Sequence, residues 1–434
     1  MAERYWLETL GCPKNQVDSD KLAGTLHRDG YEPATSPDEA DLVVVNTCAF
    51  IEAARQESID TILELAAARS PGARLVVTGC LAERHGAQLA AALPEVDLVV
   101  GFGVPVTLGK RTGGTLTDDD GTGEALPSFD LLNLPRPPAT APWAYVKVAE
   151  GCDRRCGFCA IPSFRGRQRS RPENVVLAEV DELGDRVHEV VLVAQDLASW
   201  GLDRSAPERV ARPAGTPRPI VGLVRRLSRR VARVRLLYLY PSALDDSLID
   251  AVVSTGVPYF DLSLQHVSRP LVERMRRWGD AERFLERIDR IRAAAPDAAL
   301  RSSFILGYPG ETEDDHDLLL AFLAEARLDW AGFFTFSEEP GTYAAGLPGA
   351  VPDELALERL RECSELQDAV TAERRAALVG ERLEVLVDEP GLARSHREAP
   401  DIDGVVHVDA DLGVGEFHKV TVTGAAGPDL WAEP

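Results

Sequence analysis

Three thiols with close spacing, Cys152, Cys156 and Cys159, form the pattern C-x3-C-x2-C in a Gly-containing loop. The loop follows an apolar run at 144–148 that predicts a β-strand. Thiols at this spacing can converge on one face of a [4Fe–4S] cluster, which normally takes four thiolates, so that one iron stays open for a small molecule. A zinc site or three buried cysteines are the alternatives. Zinc knuckles prefer two ligand pairs, and no fourth Cys or His lies nearby in the sequence.

Three more cysteines, Cys12, Cys48 and Cys80, each follow an apolar run that predicts a strand, at 5–10, 42–45 and 75–78. Each run precedes a helical pattern, and this alternation predicts an open α/β domain with a parallel sheet. Ligands bind at the carboxyl edge of such sheets. We therefore expect the three thiols to meet at one edge and to hold a second cluster with one free iron.

The composition describes a large, acidic chain. At 434 residues with 45% apolar content it predicts two to four domains, and its net charge of −23 argues against a general polyanion binder. Seven cysteines, an odd number, argue against a disulfide framework. Because no apolar stretch approaches the length of a membrane span, we expect a soluble cytoplasmic protein without membrane contact. The predicted domains are 1–118, which includes the start of a polar, turn-rich linker, 138–375 and 376–434.

The central domain alternates strands and helices after the cysteine loop. Predicted strands lie at 144–148, 189–193, 234–238, 259–264, 299–305 and 330–336. Six such repeats predict a partial (β/α)6 barrel with its site at the carboxyl ends of the strands. A closing helix is predicted at 353–378. Six arginines make the cysteine loop and its sequel locally basic, and they are either solvated or in contact with a carboxylate. They are Arg154, Arg155, Arg165, Arg167, Arg169 and Arg171.

The last domain reads as short strands at 381–387, 404–408, 417–422 and 429–432, which predict a small all-β barrel. From 380 to 434 there are twelve acidic and four basic residues, a balance of about −8. Phosphate contact would need the opposite charge. The domain is therefore expected either to attract a basic protein or to be a structural cap.

The C-x3-C-x2-C loop closely resembles that of radical S-adenosylmethionine (SAM) enzymes. The words around Cys12, Cys48 and Cys80 are similar to the amino-terminal domain of methylthiotransferases, and the last domain resembles the TRAM domain. Gly-Cys-Pro-Lys-Asn at 11–15 resembles the subfamily that modifies a ribosomal-protein aspartate (RimO type), whereas the tRNA-adenosine subfamily (MiaB type) typically has Gly-Cys-Gln-Met-Asn.

This resemblance implies a methylthio transfer to the β-carbon of an aspartate in small-subunit ribosomal protein twelve. It implies two [4Fe–4S] clusters, SAM and an electron donor of flavodoxin or ferredoxin type, and it argues against nucleic acid as the substrate. The implied cluster ligands are Cys12, Cys48, Cys80, Cys152, Cys156 and Cys159. The implied SAM contacts are Phe158, Gln195, Arg301 and Gly307. No further catalytic residue is identified. The alternatives are a tRNA adenosine 2-methylthiotransferase and a non-catalytic iron–sulfur redox sensor.

Overall fold

A computed structural model describes residues 2–107, 130–204 and 216–434. These residues divide into two compact units. The first comprises Met1–Pro138 with the short segment Ile161–Gly166, and the second comprises Ala139–Ala160 with Arg167–Pro434. The Gly-Gly and Asp-rich stretches of the predicted linker, at 113–121, lie outside the described residues.

The first unit is built on a five-stranded sheet in which every neighbouring pair is parallel. Its strands are β1 (Arg4–Thr9), β2 (Glu32–Pro33), β3 (Leu42–Thr47), β4 (Arg74–Gly79) and β5 (Leu98–Val99). The strand order is β2-β1-β3-β4-β5, the doubly wound order in which a ligand binds beside β1 and β3. All six residues of β3 are buried, because helices cover both faces of the sheet.

Three of the helices described in this unit follow its strands β1, β3 and β4, whereas the fourth belongs to a later segment of the chain. These helices are α1 (Pro13–Arg28), α2 (Glu52–Ala68), α3 (Cys80–Ala92) and the short α4 (Ile161–Arg165). Proline at the first position suits the start of α1, because its missing N–H would be unsatisfied there anyway. Three helix amino termini, those of α1, α2 and α3, therefore lie just beyond the carboxyl ends of β1, β3 and β4.

The second unit contains the predicted partial barrel. Its six parallel strands are β6 (Trp143–Lys147), β9 (Glu189–Val193), β10 (Arg233–Leu236), β11 (Tyr259–Gln265), β12 (Ala299–Leu306) and β13 (Trp330–Thr335). They form two three-stranded sheets, β10-β9-β6 and β11-β12-β13, which a parallel bridge between Leu239 and Leu262 connects. A short antiparallel ribbon of β7 (Ala149–Glu150) and β8 (Arg169–Ser170) frames the cysteine loop.

Helices cover the outside of this barrel. They are α5 (Glu173–Leu183), α6 (Pro219–Leu227), α7 (Asp246–Val253), α8 (Arg269–Arg274), α9 (Ala281–Ala294), α10 (Glu313–Ala326) and α11 (Asp353–Ala376). Short 3-10 turns lie at Pro37–Glu39, Leu131–Asn133, Leu197–Ser199, Pro241–Ala243 and Ala344–Gly346. None of the helices in the described part of the chain is long and apolar enough to cross a bilayer.

The chain ends in a closed barrel with the order β14-β15-β16-β18-β17. Its strands are β14 (Arg382–Glu389), β15 (Leu392–Arg394), β16 (Val406–His407), β17 (Phe417–Ala426) and β18 (Asp429–Glu433). The predicted fold class, an open α/β domain, a partial (β/α)6 barrel and a small all-β barrel, is confirmed.

The loop between β15 and β16 packs against the amino ends of the large barrel's strands. Arg235 donates to the carbonyl oxygen of His396 at 2.9 Å, and Tyr145 Oη donates to that of Pro400 at 2.7 Å. Glu189, fully buried, accepts from Arg235 at 2.7 Å and from Arg394 at 3.2 Å. Buried ion pairs therefore fasten the small barrel to the end of the large barrel opposite its cysteine loop.

Candidate functional site

The first cysteine site, formed by Cys12, Cys48 and Cys80, lies at the carboxyl edge of the parallel sheet. Cys12 directly precedes α1, Cys48 directly follows β3, and Cys80 is the first residue of α3. Because β1, β3 and β4 are neighbours, the three loops meet at one edge. Helix amino termini carry partial positive charge, which favours a thiolate at this position.

Two small features bring the loops together. Gly11, at φ +95°, leaves no room for a side chain, since a Cβ there would lie 2.8 Å from Cβ of Cys48. The amide of Asn15 donates to the carbonyl oxygens of Leu10 and Thr47 at 2.9 and 3.0 Å, and so joins the first two loops. Its oxygen lies 3.7 Å from Sγ of Cys80 in the third loop.

A buried arginine completes this site. Arg165, the last residue of α4, donates to Sγ of Cys80 at 3.0 Å and to Oδ1 of Asn15 at 2.8 Å. Its other terminal nitrogen donates to Asp18 at 3.2 Å, and the guanidinium lies 4.3 Å from the centre of the Phe102 ring. The side chains of Arg165 and Asp18 are 3% and 2% exposed, so this ion pair is screened from water.

The three thiols have different acidities in the absence of a metal. Burial raises the pKa of Cys48 to about 12, and it raises the pKa of Cys80 although the charge of Arg165 acts against it. At Cys12 burial is outweighed by the charges of Lys14 and Arg165 and by backbone N–H groups, so the pKa is lowered. All three pKa values therefore depend on one shared cation, Arg165.

The donor set is of the kind that holds an iron–sulfur cluster, because such clusters take cysteine thiolates. Among the residues at 2–107, 130–204 and 216–434, no three His, Cys, Asp or Glu side chains are grouped closely enough to hold one metal ion. The cysteines that bind a [4Fe–4S] cluster each ligate a different iron, so they can lie farther apart. Three buried or half-buried free thiols at one ligand-binding edge match that requirement.

The second cysteine site, formed by Cys152, Cys156 and Cys159, lies in the loop after the first barrel strand, β6, and the short strand β7. Within its loop, the backbone N–H of Arg154 approaches Sγ of Cys152 at 3.4 Å, and the N–H of Cys159 donates to the carbonyl oxygen of Cys156 at 3.2 Å. Burial raises the pKa of Cys152 to about 11. One loop therefore contains all three thiols.

Two arginines sandwich an aromatic ring beside this loop. The guanidinium groups of Arg154 and Arg277 lie 3.6 and 4.2 Å from the centre of the Tyr240 ring. Arg154 also donates to Asp196 at 2.6 Å, and Arg277 donates to Sγ of Cys156 at 3.2 Å. The sequence alone assigns no role to Arg277 or Tyr240, because their contacts with the loop depend on how strands and helices pack.

The six arginines of the cysteine region have different surroundings. Arg165 and Arg171 are buried in ion pairs, with Asp18 and with Glu179, while Arg155 and Arg167 are exposed. These arginines share a positive charge in the sequence but have different structural roles. The local basic pattern alone could not separate these roles.

One of the expected SAM contacts, Phe158, packs against an apolar cluster that includes the neighbour of a second, Gly307. Phe158 packs against Leu271, Met275 and Tyr308, next to Gly307 at the end of β12. Gly307 has φ +73°, and a Cβ there would lie 2.7 Å from Cβ of Ala356, so only glycine lets the loop pass so close to α11. The loop therefore presents backbone and aromatic surface beside the cysteine loop.

A third expected contact, Gln195, follows β9 and donates to Oε1 of Glu150 at 2.7 Å. The other oxygen of Glu150 accepts from the buried Lys147 at 2.9 Å. This arrangement brings a carboxylate and an amide to the carboxyl ends of β6 and β9. Polar groups of this kind can bind an amino group.

The fourth expected contact, Arg301, has a different environment. It is the third residue of β12 and pairs with Asp261, the third residue of β11, at 3.2 Å. Its Nε lies 3.4 Å from Asp403 of the small barrel. The structure thus places Arg301 near the amino ends of the strands, away from Phe158 and Gly307, and its contact with SAM stays a prediction.

Family models match all three parts of the chain. Residues 4–101 match uncharacterized protein family UPF0004, residues 146–323 match the radical SAM superfamily, and residues 379–434 match the TRAM domain. Among solved structures, a radical SAM methyltransferase, TsrM, from Kitasatospora setae aligns with 90% of this chain and 80% of its own, at 14% identity and a TM-score of 0.48. That likeness is too low to bear on function.

Curated relatives are much more similar. Ribosomal protein uS12 methylthiotransferase RimO of Moorella thermoacetica is 42% identical over 93% of this chain and 92% of its own length. The protein of the same name from Saccharopolyspora erythraea is 40% identical over 100% of this chain and 95% of its own. The second alignment spans the whole chain and therefore includes both cysteine sites and the small barrel. The chain belongs to the RimO family of radical SAM methylthiotransferases.

Proposed function

We propose that this enzyme adds a methylthio group to the β-carbon of an aspartate in ribosomal protein uS12. The observation that carries the proposal is the pair of three-cysteine sites, one at a sheet edge and one after the first barrel strands, in a chain of this family. The names of its curated relatives supply the substrate. An unactivated C–H bond beside a carboxylate resists acid–base chemistry, which is consistent with a radical enzyme.

Radical SAM methylthiotransferases use SAM and [4Fe–4S] clusters. When bound, these groups would supply a carbon radical that can remove the hydrogen and a sulfur for the new C–S bond. In this proposal Cys12, Cys48 and Cys80 hold one cluster, and Cys152, Cys156 and Cys159 hold the other. An external one-electron donor of flavodoxin or ferredoxin type is also required.

The residues around the second cysteine site are proposed to bind SAM. Phe158 and the Gly307 loop offer a flat, apolar surface for an adenine ring, because Phe158 packs against Tyr308 of that loop. Gln195 and Glu150 offer a carbonyl and a carboxylate oxygen to an amino group. Arg154, which Asp196 and Tyr240 hold in place, offers a cation to a carboxylate.

The surface charge of the small barrel supports a basic protein as the substrate. Glu398 and Asp403 are buried against the large barrel and therefore do not contribute to the surface. The remaining exposed acidic residues are Glu381, Glu384, Glu389, Asp401, Asp409, Asp411, Glu416 and Glu433. Exposed basic residues are few, Arg382 and Lys419. Such a surface would repel the phosphates of a tRNA and attract a basic ribosomal protein, whose modification we place in the cytoplasm.

The test is mass spectrometry of uS12 and of tRNA from cells with and without this enzyme. We expect the methylthio mass increment on one aspartate of uS12, dependent on the enzyme and lost in a Cys156→Ala variant. A Cys363→Ala variant, altered at a buried cysteine of α11 far in sequence from both sites, serves as the matched control and should keep the modification. The increment on a tRNA adenosine instead would refute the proposed substrate.

A further inference from the structure

Arg165 is an unusual charge to find in a domain core. Its side chain is 3% exposed and pairs with the carboxylate of Asp18, which is 2% exposed. Removing two charges from water costs several kcal/mol each, and a well-packed apolar pair would often be as stable. Stability alone therefore gives little reason for this ion pair, and another partner of the guanidinium becomes important. That partner is a thiol, Sγ of Cys80, at 3.0 Å.

The position of Arg165 is determined by its neighbours. Phe164 packs into the apolar core of the first unit, which anchors α4 there, and Phe102 covers one face of the guanidinium at 4.3 Å. Asn15 and Asp18, both from α1, hold the nitrogen atoms. The guanidinium group of Arg165 therefore has little freedom to turn away from Cys80. In the sequence this segment begins two residues after Cys159 of the second cysteine site.

We propose that Arg165 acts through Cys80 to raise the reduction potential of the [4Fe–4S] cluster held by Cys12, Cys48 and Cys80. The inference rests on the proposed function, since it requires that cluster. A hydrogen bond to a ligating sulfur and a nearby positive charge both stabilise the more negative, reduced state. Because the guanidinium is shielded from water, its field at the thiolate is weakly screened.

The experiment measures this potential by electron paramagnetic resonance during a redox titration. The full chain carries Cys152→Ala, Cys156→Ala and Cys159→Ala, so that the signal comes from the first cysteine site. Into this background are placed Arg165→Gln, Arg165→Lys and Asp18→Asn. Arg28→Gln is the matched control, because it removes the same charge from the exposed last turn of α1.

We expect Arg165→Gln to lower the reduction potential of the cluster. At the wild-type midpoint potential, the ratio of reduced to oxidised cluster should fall about tenfold, which corresponds to a shift of about 59 mV for a one-electron couple. Asp18→Asn should shift the ratio in the opposite direction, because it removes a negative charge beside the same thiol. Arg165→Lys should retain most of the wild-type potential, and Arg28→Gln should not change it.

The opposite signs separate electrostatics from structural damage. Arg165→Gln and Asp18→Asn break the same ion pair, so a purely structural effect would move the potential in the same direction in both. Shifts of the same sign, or an unchanged potential in a chain that has bound its cluster, would overturn the proposed role of Arg165. Either result would leave the proposed function of the enzyme intact. If the background chain with native Arg165 binds no iron, the first cluster does not exist and both proposals fail. Should Arg165→Gln fold poorly, the upward shift in Asp18→Asn still decides the question.

Discussion

The first cysteine site takes its thiols from three strand ends, whereas the second takes them from one loop. Cys12, Cys48 and Cys80 lie 36 and 32 residues apart, and Cys152, Cys156 and Cys159 lie four and three apart. Both sites nevertheless receive a hydrogen bond from one arginine, Arg165 to Cys80 and Arg277 to Cys156. A sheet edge can therefore bring together, by long-range packing, a set of thiols that a short loop provides locally.

The arginines also differ in how they are neutralised. Arg165 has a buried carboxylate partner in Asp18, while Arg277 stacks on Tyr240 and donates to the carbonyl oxygen of Ser263. The first site therefore contains a compensated charge in a dry interior. The second has a less buried cation, as expected where a charged small molecule must enter and leave.

Replacing one cysteine at each site should have the strongest effect and should show which site cleaves SAM. Cys80→Ala and Cys156→Ala should each abolish methylthio transfer and reduce the bound iron from about eight to about four atoms per chain. Cys80→Ala should still cleave SAM to 5′-deoxyadenosine on reduction, and Cys156→Ala should not. Iron analysis and chromatography of the products measure both. Equal loss of SAM cleavage in the two variants would show that the sites do not act separately.

The next test concerns the backbone of the first site. Gly11→Ala should destabilise the chain and reduce iron binding at this site, because a Cβ there meets Cys48 at 2.8 Å. Gly30→Ala is the matched control, since it also has positive φ, +88°, but faces open space and should cost only about 1–2 kcal/mol. Thermal unfolding and iron content compare the two. Similar losses would mean that backbone strain, and not the clash, is responsible.

The scaffold of the second site should be sensitive to acid. Burial would raise the pKa of Glu189, but Arg235 and Arg394 outweigh it and hold the pKa at about 2, against an ordinary value of 4.5. The resulting stabilisation, about 3 kcal/mol, is present above pH 4.5 and is lost as the pH falls toward 2. The apparent melting temperature should fall over this range, and less steeply in Glu189→Gln. Glu373→Gln, at an exposed ion pair, should retain the wild-type slope.

The smallest expected effect concerns Arg277. Arg277→Gln removes a charged hydrogen bond to Cys156, worth about 1.5–3 kcal/mol, and should slow SAM cleavage about tenfold or more with iron content unchanged. Arg277→Lys should recover part of the rate. Arg165→Gln, at the other site, should leave SAM cleavage near the wild-type rate. If Arg165→Gln slows this cleavage as much as Arg277→Gln does, the two arginines do not serve separate clusters.

Local sequence patterns predicted the strands of the large barrel to within a few residues, because each contains apolar or aromatic residues and is followed by polar or glycine residues. The strand Leu392–Arg394 was missed, since it is short and follows the turn Glu389-Pro390-Gly391. Arg301 shows a different limit. Its partner Asp403 comes from about a hundred residues later in the chain, a contact that no local pattern signals. Arg165 and Arg277 likewise gain their meaning from packing.

The ion pairs that join the small barrel to the large one have a practical consequence for deletion mutants. A chain that ends before residue 379 would lack Arg394, which pairs with Glu189, and Glu398, which pairs with Arg375. Uncompensated charge at a former interface is strongly destabilising. Loss of activity in such a truncated enzyme would report a damaged catalytic barrel. Reversing the charge of exposed residues such as Asp409 and Glu416 is the better way to ask what the small barrel recognises.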